Sequence, residues 1–243
     1  MNYLAHIYLS GECLDTQLGG LLGDFVKGPL PVEWLGREAE QQLLDAQYQA
    51  QQQAQVTPSI GLPPSPLLSS SILLDAQGQP WPRELLAGVQ LHRVIDVYTD
   101  CQPAFKRCVE CLGPEHRRIA GIALDVFFDH ALASRWHEFH ARPLSDFCDD
   151  FYRHCAENQS RLPERAKQLM GRAQAHRLFE SYADLKVIEQ VLERISRRLS
   201  RATSLSQVMP VLIREQSFLL TQFDELMSSL LDFSQVLRQQ LEL

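Results

Sequence analysis

The sequence lacks the segments that would place a protein in or across a membrane. Its 243 residues contain no run of 18 uninterrupted apolar side chains, the length needed to span a bilayer as a helix. The first residues, Met1 to His6, contain no basic segment followed by a long apolar stretch, so no signal peptide is visible. We therefore expect a cytoplasmic protein that does not bind membranes.

The sequence also lacks an excess of positive charge. It has 23 basic and 30 acidic side chains, which give a formal net charge of −7. A general nucleic-acid coat or a polybasic membrane binder needs a basic excess, so neither class is expected. A hydrophobic fraction of 45% supplies a substantial core and excludes wholesale disorder.

Strand patterns are scarce. There are few runs of valine, isoleucine and threonine, and apolar residues recur at helical spacing instead. The sequence predicts an all-α fold, a single helical domain of seven or eight helices over residues 1–243. The predicted helical segments are two within 3–26, then 84–100, 119–135, 145–158 with Ser145 as the N-cap, 161–173, 178–199 and 211–241.

Residues 37–82 depart from this texture. The first half is rich in glutamine and alanine, and six prolines fall between residues 58 and 82. We interpret 37–82 as an irregular Gln/Pro-rich insertion that lies over the surface.

Several motifs of catalytic proteins are absent. The sequence has no GxSxG nucleophile elbow, no GxxxxGK[ST] phosphate loop and no Gly-rich dinucleotide fingerprint. Its six cysteines include one CxxC pair, Cys108 and Cys111, without the second pair that a zinc site of this type needs. We expect ordinary buried thiols, and the remaining chemistry is that of a metal-activated water.

Two helical segments carry ionisable side chains among apolar ones. His92 and Asp96 are four residues apart, and Asp125 and Asp129 repeat that spacing with His130 adjacent. Carboxylates in such surroundings are costly to bury unless a cation or an arginine compensates them. Imidazoles and carboxylates that converge from different helices are typical of a divalent metal site.

Two further residues are candidates for the same site, and His6 is the weaker of the two. Asp24 lies on an otherwise apolar helix, and His6 lies among Leu4, Ile7 and Tyr8. Structural alternatives stay open for both: Asp24 as an N-cap or an arginine partner, and His6 as a hydrogen-bonded core histidine. Likewise, Asp96 pairing with Arg93 and Asp100 capping the following turn are alternatives to metal binding.

Four blocks of this sequence resemble the acyl carrier protein phosphodiesterases, also called acyl carrier protein hydrolases. The blocks are Met1–Leu9, Gly20–Gly28, Gly88–Asp100 and Leu124–His130. The resemblance covers most of the chain outside 37–82. It implies a helical metallohydrolase, distantly similar to HD-domain phosphohydrolases, that uses manganese. It also implies that holo acyl carrier protein is the partner and substrate, cleaved to 4′-phosphopantetheine and the apo protein.

The resemblance also implies roles for individual residues. An ion held by Asp24, His92, Asp129 and His130, with His6 as a weaker ligand, would polarise the phosphodiester. Asp96 or Asp125 would take the water proton or orient a ligand, and Asp125 is a candidate acid for the serine leaving group. Arg93 or Lys27 would neutralise the phosphate oxygens. The HD dyad appears here in reverse order, as Asp129-His130.

One stretch has the charge expected of a surface that binds an acidic carrier protein. Residues 161–201 carry ten basic and five acidic side chains, whereas the rest of the chain is net negative. We predict partner binding by Arg194, Arg197, Arg198 and Arg201, with Arg117 and Arg118 as further contributors. The alternative is a solvated helix end favoured by the helix dipole.

Two other functions stay open at this point. One is an HD-like nucleotide phosphohydrolase with a (p)ppGpp-type substrate, and the other is a non-catalytic helical binding module in which the acids and histidines are structural.

Overall fold

The computed structural model describes residues 2–27, 74–199 and 204–241. These residues contain twelve α-helices and three short 3₁₀ helices, and no β-strand. The all-α class is confirmed, whereas the predicted number of seven or eight helices is wrong. The helices are α1 (Tyr3–Leu9), α2 (Leu14–Leu22), α3 (Arg83–Cys101), α4 (Pro103–Cys111), α5 (Ala120–Ser134), α6 (Trp136–Phe139), α7 (Leu144–Glu157), α8 (Glu164–Ala175), α9 (Leu178–Ser181), α10 (Leu185–Ser196), α11 (Met209–Arg214) and α12 (Gln216–Gln240).

Part of the larger number arises because two predicted long helices are each divided. The segment 178–199 is interrupted before α10, where the Asp184 carboxylate accepts a hydrogen bond from the Lys186 amide at 2.9 Å and caps a new helix. The segment 211–241 is interrupted at Glu215, whose φ of −95° and ψ of 12° depart from helical geometry.

Two helices were not predicted, and one start was misplaced. Helix α4 begins at Pro103, a residue favoured at the first helical position, directly after the extended residue Gln102. Helix α6 is a single turn. The predicted N-cap Ser145 lies inside α7, and its hydroxyl is 3.1 Å from Asp146 rather than on a backbone amide.

Helices α2 and α3 pack together through their backbones. A Cβ added to Gly19 would lie 2.1 Å from the Leu85 carbonyl oxygen, and one added to Gly88 would lie 2.1 Å from the Thr16 carbonyl oxygen. No side chain larger than hydrogen fits at either position, so the two helix axes approach closely. This contact places the end of α2 beside the middle of α3.

Helix α5 forms the centre of the core. Its apolar residues are buried around the whole helix, with Leu124, Phe127 and Phe128 fully inaccessible. A helix that is apolar all round is surrounded by others, and α1, α10 and α12 all contact α5. Helix α1 therefore lies between α2 and α5.

Most of the predicted insertion lies outside the described residues. Its last part, from Leu74 onward, forms a turn with an isolated bridge between Leu74 and Pro80. The Ala76 amide donates to the Ser160 carbonyl at 2.9 Å, which attaches this turn to the 3₁₀ helix at 159–161. Helix α3 begins at Arg83, where the sequence predicts that helical structure resumes.

The six cysteines are free thiols, and the prediction that they are buried is confirmed for three of them. Cys108, Cys148 and Cys155 are buried, whereas Cys13 is exposed. Burial raises the pKa of the Cys108 thiol to about 12, which disfavours the thiolate that zinc binding requires.

Across the described ranges, none of the helices combines the length and the apolar character needed to cross a bilayer.

Candidate metal centre

Three side chains from two helices converge on one point. His6 comes from α1, and His92 and Asp96 come from successive turns of α3. One potential ligand atom from each lies within 4.8 Å of the others. In the described part of the chain, this is the one such group of three or more histidine, cysteine or acidic residues.

Asp96 connects the two imidazoles. Its Oδ1 lies 3.0 Å from His6 Nε2, and its Oδ2 lies 3.2 Å from His92 Nε2. The two rings stack with their centroids 3.7 Å apart and their planes inclined by 23°. Both histidines are almost completely buried, while the Asp96 side chain remains 43% exposed. The group is therefore closed on the protein side and open to solvent through Asp96.

The backbone of α2 fixes the orientation of His92. The Nδ1 atom of His92 lies 2.7 Å from the Gly20 carbonyl oxygen, which can only accept, so Nδ1 carries a hydrogen. This leaves Nε2 directed at the carboxylates. A Cβ at Gly23 would lie 2.1 Å from the His92 ring. Only glycine at position 23 therefore leaves room for the imidazole. An imidazole held through one nitrogen by a backbone carbonyl is the usual arrangement of a metal ligand.

Asp24 lies at the rim of the group. It follows the end of α2, and its Oδ1 is 3.6 Å from His92 Nε2. Its side chain is 55% exposed. Among the described residues, Asp24 interacts with His92, His6 and Asp96, and it follows a helix instead of capping the start of one.

The carboxylates determine the charge of His92. Burial alone would lower its pKa, but hydrogen bonds and charge from Asp24 and Asp96 raise it to about 9. Burial, together with the positive charge of His92, lowers the pKa of His6 to about 4. Burial would raise the pKa of Asp96, yet the hydrogen bonds from both histidines hold it well below its usual range. Without a metal, His92 is the protonated imidazole of the group, and its charge offsets one of the two carboxylates.

The donor set fits a hard or borderline divalent cation. Two imidazole nitrogens and a carboxylate oxygen, with a second carboxylate at the rim, suit manganese, iron or zinc better than a soft thiolate-binding ion. A divalent ion would take the place of the His92 proton, as metal binding to histidine generally does.

Asp129, predicted as a metal ligand, is not brought into this group. It is fully buried, and its two oxygens accept hydrogen bonds from the Leu4 and Ala5 amides at 2.9 and 3.0 Å. Burial raises its pKa to about 7 despite those two bonds. Asp129 stays outside the group because its side of α5 packs against the backbone amides of the first turn of α1, not against the ring of His6.

His130 is likewise placed elsewhere. Its Nδ1 lies 2.9 Å from the Tyr182 carbonyl oxygen, and burial lowers its pKa. One residue after Asp129, it points roughly 100° further round α5, towards the segment that precedes α10. The reversed dyad Asp129-His130 therefore contributes two structural contacts in different directions.

Asp125 and Asp100 lie near the group without joining it. Asp125 is half-buried, one turn before Asp129 on α5. Burial raises the pKa of Asp100, and the negative charges of Asp125 and Asp96 raise it further. Asp125 and Asp96 are thus close enough to Asp100 to influence its protonation.

The two basic residues predicted to neutralise phosphate differ in their surroundings. Arg93 is half-buried, and its Nη2 donates to the Val26 carbonyl at 2.8 Å, which ties the turn containing Asp24 to α3. Lys27 is exposed at the end of the first described segment. Arg93 therefore anchors the rim of the group.

The predicted partner-binding arginines lie at the end of α10. Arg194, Arg197 and Arg198 are exposed, whereas Arg201 lies outside the described residues. Burial and the negative charge of Asp24 raise the pKa of Tyr3 to about 12, against the opposing charge of Arg198. Tyr3 also stacks on Phe25, with centroids 6.4 Å apart. Arg198 is thus near Tyr3, at the start of α1, and Tyr3 in turn is near Asp24.

Sequence reasoning missed the two glycines that hold His92. The signal was present, because Gly19, Gly20 and Gly23 fall within one short apolar segment. Glycines at that density inside a helical pattern indicate close backbone approach.

Comparison with known proteins identifies relatives along most of the chain. The family model described as "Acyl carrier protein phosphodiesterase" matches residues 1–44 and 69–230. The unmatched residues between these segments fall within the predicted insertion 37–82. Both segments that form the metal group lie inside the match.

Individual relatives carry the same description. A protein named acyl carrier protein phosphodiesterase from Serratia proteamaculans is 28% identical over 224 residues, covering 92% of each chain. One from Enterobacter sp. is 33% identical over 206 residues, covering 84% of this chain and 82% of its own. One from Pectobacterium atrosepticum is 28% identical over 207 residues, covering 85% and 83%.

No solved structure matches this chain. The similarity to HD-domain phosphohydrolases therefore stays a prediction.

Proposed function

The chain belongs to the acyl carrier protein phosphodiesterase family of enzymes, and we propose that it hydrolyses the phosphodiester of holo acyl carrier protein at a divalent metal centre. The products are 4′-phosphopantetheine and the apo protein with a free serine. The observation that carries this proposal is the convergence of His6, His92 and Asp96, from two helices far apart in sequence, within the residues that the family model covers.

His6, His92 and Asp96 would hold the ion, with Asp24 as a further oxygen donor at the rim. Manganese is the ion that the family resemblance favours, and the nitrogen and oxygen donors suit it. When bound, the ion supplies a water of lowered pKa and positive charge beside the phosphate.

The remaining chemistry belongs to the acidic side chains around the group. The serine alkoxide leaving group requires a proton. Asp125 is the candidate donor that the sequence suggests, and Asp100 is a second, because burial and the charges of Asp125 and Asp96 raise its pKa. Arg93 keeps the turn that carries Asp24 in place through the Val26 carbonyl.

The exposed arginines of α10 would receive the carrier protein. Acyl carrier proteins are acidic; Arg194, Arg197 and Arg198 are exposed, and Arg198 lies near Tyr3, which in turn is near Asp24. Attraction between these surfaces would deliver the phosphopantetheine arm to the metal centre and raise the rate of encounter.

The test is a reconstitution with defined metal and substrate. The protein is stripped with EDTA, dialysed and incubated with holo acyl carrier protein, with and without Mn²⁺. Mass spectrometry follows release of phosphopantetheine and formation of the apo protein. We expect turnover with Mn²⁺ and none after stripping. Guanosine tetraphosphate, offered in parallel, should remain intact.

Two substitutions make the test specific to the site. His6→Ala should abolish the metal-dependent turnover, whereas His137→Ala, at an exposed histidine of α6, should leave it unchanged. Nucleotide hydrolysis with an intact carrier protein would instead support the nucleotide phosphohydrolase. Full activity of the stripped protein or of the His6 variant would refute the metal centre.

A further inference from the structure

We propose that Asp129 is a positioning residue for the metal centre: it holds the first turn of α1 so that His6 meets His92 and Asp96. This inference rests on the proposed function of that centre. It assigns to Asp129 a role different from the metal ligand that the sequence suggests.

The first turn of α1 depends on a remote cap. A helix leaves its first amides without partners inside the helix, and these need other acceptors. Asn2, at the N-cap position of α1, makes no side-chain capping bond. Both oxygens of Asp129, 125 and 124 residues away in sequence, accept from the Leu4 and Ala5 amides instead.

The carboxylate is committed to these amides. Asp129 is fully buried, and each of its oxygens lies within about 3.0 Å of one amide nitrogen. A buried carboxylate is costly, and two amide donors together with the positive end of the helix offset that cost. To ligate an ion, Asp129 would have to give up at least one of these bonds.

The held turn is the one that carries His6. His6 follows Ala5 directly, and its ring must lie 3.7 Å from that of His92 and within 3.0 Å of Asp96. Helix α1 has only seven residues, so a shift of its first turn displaces the imidazole as well. Asp129 therefore acts on the metal centre through the backbone of α1, as outer partners of metal ligands act through hydrogen bonds.

The experiment compares Asp129→Asn and Asp129→Ala with wild-type full-length protein. Calorimetric titration of the EDTA-stripped protein with Mn²⁺ gives the affinity, and hydrogen exchange gives the protection of the α1 amides. Asp184→Ala is the matched control, because Asp184 caps α10, which carries no residue of the metal group.

We expect both Asp129 variants to speed exchange of the Leu4 and Ala5 amides and to weaken Mn²⁺ binding about 10- to 100-fold with unchanged stoichiometry. The asparagine variant should show the milder effect, since its amide oxygen retains one hydrogen bond. If the alanine variant fails to fold, the asparagine variant alone provides the test. For holo acyl carrier protein, kcat should fall while KM stays constant. Asp184→Ala should lower the melting temperature and leave Mn²⁺ affinity unchanged.

Two results would overturn the inference. Unchanged Mn²⁺ affinity with fast α1 exchange would restrict Asp129 to fold stability. Loss of Mn²⁺ binding with unchanged α1 exchange would make Asp129 a ligand. Failure of the wild-type protein to bind Mn²⁺ would refute the proposed metal centre instead, while the exchange rates would still decide whether Asp129 holds α1.

Discussion

Helices α3 and α5 carry nearly the same pattern of ionisable residues and use it in opposite ways. On α3, His92 and Asp96 face α1 and the end of α2, and form a group open to solvent. On α5, Asp125 and Asp129 have the same spacing, yet Asp129 is sealed against backbone amides and His130 against the Tyr182 carbonyl. Spacing fixes which side chains share a face, whereas the neighbouring helices decide what that face meets.

The sharpest way to break the comparison is to remove one histidine from each helix. His92→Ala should lower Mn²⁺ affinity more than about 100-fold, beyond the effect usual for residues that only support a ligand. His130→Ala should leave that affinity nearly unchanged and instead lower the melting temperature, because it removes a buried hydrogen bond. Calorimetric titration and thermal unfolding measure both. Comparable losses of affinity would show that α5 also supplies a ligand.

The pH dependence of the metal-free protein distinguishes the helices in a second way. The pKa of His92 is raised from 6.5 to about 9, so its stabilisation is complete below pH 6.5 and is lost as the pH rises towards 9. The loss amounts to roughly 2–4 kcal/mol, by the usual conversion of a pKa shift. The pKa of Asp129 is raised from 3.8 to about 7, so its effect on stability changes between those pH values. The pKa of His130 is lowered from 6.5, so its effect on stability also changes below pH 7.

The window between about pH 7 and 8, below the ionisation of thiols in the unfolded chain, therefore reports mainly on α3. Urea unfolding of EDTA-treated protein at several pH values measures the slope. His92→Gln should flatten it, and saturating Mn²⁺ should do the same in the wild-type protein. A flat profile in the metal-free wild type would contradict the charge assigned to His92.

A smaller effect on stability is expected from adding one methyl group at a glycine that faces α3 and one at a glycine on α5. Gly23→Ala would place a Cβ about 2.1 Å from the His92 ring and should destabilise the protein by about 1–3 kcal/mol, with weaker Mn²⁺ binding. Gly121→Ala, on α5, meets nothing within 4 Å and should be neutral or stabilising by about 0.5–1 kcal/mol. Equal effects at the two positions would show that the end of α2 does not constrain the imidazole.

The smallest effect is expected at the arginines of α10. Replacing Arg197 and Arg198 by glutamate should raise KM for holo acyl carrier protein severalfold and weaken its salt dependence, with kcat unchanged. The same charge change at Arg165 and Arg172 of α8, both exposed, is the control. If both variants raise KM equally, the arginines of α10 are a solvated helix end and not a docking surface.

The helical class was accessible from the sequence, and so were the residues of the candidate metal centre. The spacing of His92 and Asp96 among apolar residues indicated a shared face, Asp24 was a further predicted ligand, and His6 was a weaker candidate. The sequence did not reveal that His6 belongs at the centre and Asp129 outside it. That difference depends on which helix packs against which face, and these contacts join residues more than 80 positions apart.

Some helix boundaries could likewise be predicted from the sequence, and others could not. Apolar periodicity located α3 and α5 well, because each is a long amphipathic or buried helix. It merged α9 with α10 and α11 with α12, since a break of a few residues barely disturbs the spacing of apolar side chains. The breaks depend on a cap at Asp184 and on the backbone at Glu215, which apolar periodicity does not record.

The backbone contact between Gly19 and Gly88 has a consequence for how this interface tolerates change. A new Cβ at either residue also lies within 3 Å of the other's Cα, so a methyl group at one position pushes apart the same two helices as a methyl group at the other. Once the first alanine has separated them, the second finds some of the required room already made. The two positions are therefore energetically coupled, and the double variant should lose less stability than the two single losses combined.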